Sequence, residues 1–172
     1  IAGGGIGDAR GLVSALALGA EGVYMGTRFI ATVECPAHDN VKKAILEATD
    51  TSTVAIRHGL PRVAGPSNRG FTEARRGSVR LLLNDCLKAI LNRAGGSPTW
   101  QDIEPYLTPA DPAAPTSRTA AALVHGDLVN NFAAAGQVAG MITDIPSCKD
   151  LIERIMRDAE PVLKRLNESF RG

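Results

Sequence analysis

The chain has 172 residues, enough for a domain with its own core; 44% are hydrophobic but only 4% aromatic. A formal net charge of +1 argues against a nucleic-acid or anionic-membrane partner, and no apolar run approaches the length of a membrane span. Three widely spaced cysteines, Cys35, Cys86 and Cys148, lack metal-site spacing and fit a reducing, cytosolic compartment better than a disulfide framework.

The chain opens on Ile1-Ala2-Gly3-Gly4-Gly5-Ile6-Gly7-Asp8, which reads as the end of a strand running into a glycine turn. Asp8 is placed to N-cap a helix over residues 9–18, with Leu12, Val13, Leu16 and Ala17 as its inward stripe and Gly19 as its stop. Residues 22–30 follow as a buried strand and its exit, carrying Tyr24-Met25-Gly26-Thr27. Glycines at the ends of two neighbouring parallel strands leave backbone N–H groups open, with no Cβ in the way. The helix N-terminus beside them adds about half a positive charge. Taken alone, a Gly-Gly pair is an ordinary turn. Paired across one helix with a second Gly-Thr loop, it has the character of the phosphate loops after strands 7 and 8 of a (β/α)8 barrel. A parallel strand starting at Ile1 would be an unpaired edge, so the chain is expected to be the C-terminal part of a larger one.

The pattern changes after residue 33. Residues 36–48 read as a helix with Val41, Ala44, Ile45 and Ala48 on one face, and residues 52–56 as a short strand. Residues 59–70, broken by Pro61 and Pro66, read as loop. Residues 73–93 read as one long helix with Leu82, Leu83, Cys86, Ala89, Ile90 and Arg93 at helical spacing. Ser97-Pro98 begins another helical turn, and the prolines of residues 105–115 mark a surface connection. Helices without interleaved strands point to an inserted cap rather than more barrel repeats. Residues 119–145 return to Ala-rich helix and break at Ala135-Gly136-Gln137, with a short helix over 138–142. Ser147 and Asp150 resemble a capping box. The last helix carries Leu151, Ile152, Ile155, Met156, Ala159, Val162, Leu163 and Leu166 as a core stripe, kinked at Pro161.

Together, Ile1-Ala2-Gly3-Gly4-Gly5-Ile6, Ala15-Leu16-Ala17-Leu18-Gly19-Ala20, Val23-Tyr24-Met25-Gly26-Thr27-Arg28-Phe29, Glu34-Cys35-Pro36-Ala37-His38 and Ala135-Gly136-Gln137-Val138-Ala139-Gly140 resemble nitronate monooxygenase, also called 2-nitropropane dioxygenase. The flavin-type enoyl-ACP reductases share much of the pattern. The resemblance implies an α/β fold: the C-terminal portion of an FMN-binding (β/α)8 TIM barrel with an inserted, mainly helical substrate domain. Residues 1–33 would be barrel strands 7 and 8 with their helix, 34–118 the helical substrate domain, and 119–172 the return to the barrel. It further implies FMN phosphate against Gly4 and Gly5, against Tyr24, Met25, Gly26 and Thr27, and near Gly136 and Gln137. The implied activity is oxidation of alkyl nitronates with O2. Gly3 stands where Ala is more usual and Tyr24 where Gln is common, so at Tyr24 a backbone contact is the one expected.

The family's histidine base belongs to a segment absent from this chain, so no catalytic residue is assigned within it. His38 and His58 are read as ordinary solvated residues, His125, on a helix before Gly126-Asp127, either as ordinary or as facing a substrate cleft, and Cys35 has no activating base beside it in the sequence. Two other readings stand beside the first. One is a flavin-dependent enoyl-thioester reductase using NAD(P)H. The other is a non-catalytic half-barrel that binds a phosphorylated ligand. The expected partners are a small-molecule substrate, the missing N-terminal half and, in a homodimer, a second copy.

Overall fold

The computed structural model describes residues 1–57, 78–95, 102 and 118–170, in two compact units. The first unit comprises Ile1–Ser52 and Ala135–Gly172. Strand β1 (Ala2–Gly3) pairs in parallel with β2 (Val23–Tyr24), Ala2 opposite Val23 and Gly3 opposite Tyr24. Helix α1 (Ala9–Ala17) makes the crossover. The Asp8 side chain caps it by accepting the Gly11 N–H at 3.1 Å. At its far end Gly19, at φ +92°, turns the chain back while its N–H donates to the Leu16 carbonyl.

Helix α1 packs on the C-terminal helix α6 (Cys148–Ser169) through Ala9, Val13 and Ala159, with Leu12 and Val162 beside them. The expected stripe of α1 is corrected at its end: Leu16 is 43% exposed and Ala17 is exposed. The small Ala9–Ala159 contact sits in the first turns, and the last turn of α1 has run past it. The expected stripe of α6 is likewise split. Leu151, Ile155 and Ala159 are buried, whereas Ile152, Met156, Leu163 and Leu166 are exposed. Pro161 lies inside this helix, which continues to Ser169.

Helix α2 (Thr27–Ile30) leaves β2, and α3 (Asp39–Leu46) follows with Val41 and Ile45 buried as the periodicity predicts. The predicted break at Ala135-Gly136-Gln137 leads into a 3-10 helix, Gln137–Met141. Its backbone runs so close to the α3 exit that a Cβ on Gly140 would lie 2.6 Å from the Thr49 carbonyl carbon.

The second unit, Thr53–Ala134, holds an antiparallel pair, β3 (Thr53–Arg57) and β4 (Ser78–Leu82). Strand β3 is the predicted one. Strand β4 corrects the long helix predicted over 73–93, of which only α4 (Asp85–Arg93) is helical among the described residues. Leu81 and Leu82 are both buried, and Leu81 joins Ile56, Cys86, Leu87, Ile90 and Phe132 in one core. Asn84 separates strand from helix. Its side-chain oxygen accepts the Leu87 N–H, while its amide donates to the Leu128 and Asn131 carbonyls at 2.7 and 2.6 Å. Helix α5 (Arg118–His125) ends before Gly126 at φ +68°, short of the predicted break at Ala135. The loop predicted over 59–70, His58, the Ser97-Pro98 turn and the connection over 105–115 lie outside the described residues. Among the described residues no helix is long and apolar enough to cross a membrane.

Candidate functional site

Strands β1 and β2 end side by side, so the segments leaving them form one rim. Gly4 and Gly5 leave β1 at φ +93° and +74°, a region that other residues enter only with strain. Gly26 leaves β2 at φ −92°. At all three glycines an added Cβ would meet nothing within 4 Å. These backbones therefore border open space, as a surface meant for close approach by a ligand requires. Tyr24 stands 70% exposed on the same rim, and Met25 is half-buried.

Thr27 is the inward member of the second segment, 8% exposed. Its hydroxyl accepts the Gly136 N–H at 2.7 Å. This bond brings the Gly136-Gln137 turn to the second loop across 109 residues of sequence. The following 3-10 helix also touches the first segment: a Cβ on Gly7 would lie 2.6 Å from Cγ2 of Val138. Gly4 and Gly5, Tyr24 to Thr27, and Gly136 with Gln137 thus belong to one neighbourhood.

The helix-end contribution expected beside the glycines is modified by Asp8. Burial works against its charge, but the Arg10 side chain and the Gly11 N–H outweigh burial and hold the carboxyl below the usual carboxylate range. An anion on this rim therefore depends on loop amides and on Thr27, because the α1 terminus already carries its own carboxylate.

The charge network beneath the rim was not legible in the sequence. Arg28 is 2% exposed, and its guanidinium reaches Asp144 through Nη2 to Oδ1 at 2.9 Å and through Nη1 to the backbone carbonyl at 3.2 Å. Its Nε has no hydrogen-bond partner among the described residues. Arg154 of α6 holds the other side of the same carboxylate. The Arg154 hydrogen bond is the largest influence keeping the Asp144 carboxyl below its usual range, with Arg28 adding to it. Burial lowers the Arg28 value more than Asp144 raises it, while Arg154, nearer solvent, is shifted up. The two directions agree physically: both groups stay charged, and Arg28 bears the larger desolvation cost. The cluster borders a polar cavity of about 180 Å³ together with Gly7, Asp8 and Thr143. A lone arginine in the apolar Thr27–Ile30 stretch was the available signal.

The Glu34-Cys35-Pro36-Ala37-His38 stretch proves to be a fastening for α6. Both Glu34 carboxylate oxygens accept the Cys148 N–H at 2.9 Å, and this bond is the main reason its carboxyl lies below the usual range. The Val33 N–H donates to the Pro146 carbonyl, and the Cys148 thiol lies 3.6 Å from the Thr32 hydroxyl. His38 caps α3, its Nδ1 accepting the Asn40 N–H, and His125 is exposed at the end of α5. Among the described residues no cluster of His, Cys, Asp and Glu is arranged to hold a metal ion.

The family model described as nitronate monooxygenase matches residues 1–158. The chain belongs to the nitronate monooxygenase family. Among its relatives, a (3aS,4S,5R,7aS)-5-hydroxy-7a-methyl-1-oxo-octahydro-1H-indene-4-carboxyl-CoA dehydrogenase of Mycobacterium tuberculosis is 36% identical over 92% of the chain and 49% of its own length. A probable nitronate monooxygenase of Staphylococcus aureus is 38% identical, over 42% of the chain and 21% of its own length. Among solved structures, FabK from Thermotoga maritima matches with a TM-score of 0.70 and 30% identity, covering 97% of this chain and 46% of that one. The enoyl reductase domain of MlnA from Bacillus amyloliquefaciens matches at 0.61 and 18% identity, a likeness of fold alone. The fold is accordingly of the TIM-barrel α/β type that this nitronate monooxygenase family shares with FabK. The chain spans about half the length of the curated relatives it matches over most of its residues.

Proposed function

We propose that this chain supplies the phosphate-holding side of an FMN-dependent oxidoreductase. The observation that carries the reading is the rim itself: positive-φ Gly4 and Gly5 and the unobstructed Gly26, beside a buried Thr27 hydroxyl tied to Gly136. The donor set fits a phosphate. Backbone amides at Gly4, Gly5 and Gly26 have no side chain in the way, and Thr27 adds a hydroxyl, while the Gly136 N–H is already donated to Thr27 and brings its turn to the rim. Tyr24, Met25 and Gln137 complete the neighbourhood, Tyr24 through its backbone. When bound, FMN would supply the electron transfer, while these residues bind its phosphate and set its orientation. In this reading residues 1–33 and 119–172 belong to the barrel. A substrate-side insertion lies within 34–118, which overlaps the second compact unit. The proton-handling residue lies in a part of the barrel that this chain does not contain. A cytosolic setting and a homodimer complete the proposal.

For the substrate, two chemistries compete. An acyl or enoyl thioester is favoured by the carboxyl-CoA dehydrogenase name borne by relatives matched over 92% and 97% of the chain. Oxidation of an alkyl nitronate with O2 is favoured by the family itself and by the Staphylococcus aureus relative. Anaerobic mixing of the flavin-loaded, complete polypeptide separates them. We expect NAD(P)H or an acyl-CoA to bleach the flavin absorbance rapidly. Bleaching by an alkyl nitronate alone would transfer the assignment to the monooxygenase. A polypeptide that takes up no flavin would remove both readings.

A further inference from the structure

Thr27 does more at this rim than present a hydroxyl. Resting on the phosphate reading above, we propose that Thr27 is a positioning residue: by accepting the Gly136 N–H it locks the Gly136-Gln137 turn against the second glycine segment, so that the two bind phosphate as one surface. Three observations carry this. The bond is 2.7 Å long and joins segments 109 residues apart, and no other hydrogen bond between the described residues joins these two segments. Thr27 is only 8% exposed, and its hydroxyl proton has no acceptor among the described residues. A hydroxyl that accepts one bond still has its proton to donate, and a buried donor left unmade is costly, so a ligand oxygen on the rim would satisfy it. Third, Gly136 fits this approach closely. A Cβ there would stand 3.3 Å from the Thr27 oxygen, tighter than ordinary contact. The 3-10 helix that follows is seated against Gly7 on one side and the Thr49–Asp50 backbone on the other. The turn held by Thr27 therefore leads directly into an element packed on the first glycine segment as well.

The test is a double-mutant cycle in the complete polypeptide, read by fluorescence titration with FMN and with riboflavin, which lacks the phosphate. Thr27→Val keeps the side-chain shape and removes the acceptor. Gly136→Pro removes the donor at a backbone φ of −75° that proline adopts, and its ring Cδ, standing where the N–H pointed at Thr27, also pushes the two segments apart. Each variant is expected to weaken FMN at least about tenfold while leaving riboflavin within about twofold, Thr27→Val the more because it also removes a hydroxyl donor, and the double variant to lose no more than Thr27→Val alone. Thr27→Ser is expected to restore FMN affinity. Losses that add in the double variant would overturn the lock, as would an equal loss of riboflavin. Should Thr27→Val fail to fold, Gly136→Pro decides alone: an unchanged FMN affinity overturns the proposal. A wild type that does not prefer FMN over riboflavin removes the phosphate reading and this proposal with it. A wild type that prefers FMN but shows additive losses removes only the proposal.

Discussion

Gly5 and Gly26 border the same open space, yet they make opposite demands on substitution. Gly5 sits at φ +74°, so an alanine there is strained by about 1–2 kcal/mol whatever the ligand does. Gly26 sits at φ −92° with nothing within 4 Å of an added Cβ. Gly26→Ala should therefore leave the melting temperature within about 2 °C. It should weaken FMN more than tenfold, because the methyl group enters the ligand's space. A calorimetric melt and a flavin titration on one preparation check both halves. Asp144 carries a different prediction. Removing its carboxylate leaves the guanidinium of Arg28 buried without that counter-ion, though still bonded to the backbone carbonyl of residue 144, and Asp144→Ala should cost about 2–3 kcal/mol, below the fully buried range because Asp144 is 41% exposed. Its folded pKa lies below its unfolded value, so this stabilisation is complete above the unfolded pKa of about 3.9 and vanishes as pH falls through the folded one. Acid unfolding of Asp144→Asn should accordingly show a shallower pH dependence than wild type below about pH 4, measured by circular dichroism. The Asp8 cap and the glycine turn were legible because each depends on residues a few positions apart. The Arg28–Asp144 pair was not, because its partners are 116 residues apart and nothing local marks them as neighbours.

Among the elements, those with strong helical periodicity and a cap were read well. Helix α3 buries Val41 and Ile45, and α6 begins at the predicted Ser147, whose oxygen accepts the Asp150 N–H at 3.0 Å. The failure lies at 78–82. Leu82, Leu83, Cys86 and Ile90 do fall at helical spacing, but the first two serve a strand and its exit. Pairing with β3 and burial of Leu81 against Ile56 and Phe132 outweigh the local pattern, a tertiary effect that periodicity does not register. Asn84 marks the change. It caps α4 and donates two short bonds to the segment carrying Leu128 and Asn131, so Asn84→Ala should destabilise the second unit by about 2–3 kcal/mol. Hydrogen exchange should show faster opening of α4 amides than of α1 amides in that variant; equal protection would contradict this account of the junction. The α6 stripe was read as wholly core because amphipathic spacing reveals that a face is apolar, but not what covers it. Here Ile152, Met156 and Leu163 are at least half exposed.

Across the whole molecule, family membership and the TIM-barrel type of fold were legible from a few short segments, since the glycine rim is local and its spacing is fixed by one crossover helix. The substrate was not legible, because in the proposed reading the rim holds a cofactor phosphate that thioester and nitronate chemistry would share. Relatives matched over most of the chain are about twice its length. The claim on which the rest depends is capture of a phosphate by Gly4, Gly5, Gly26 and Thr27, with the Gly136 turn held beside them. Its most direct test is the affinity of the complete wild-type polypeptide for FMN relative to riboflavin at a single ionic strength. The account predicts that FMN binds at least about tenfold more tightly, the phosphate being the only difference between the ligands. Equal affinities would contradict it.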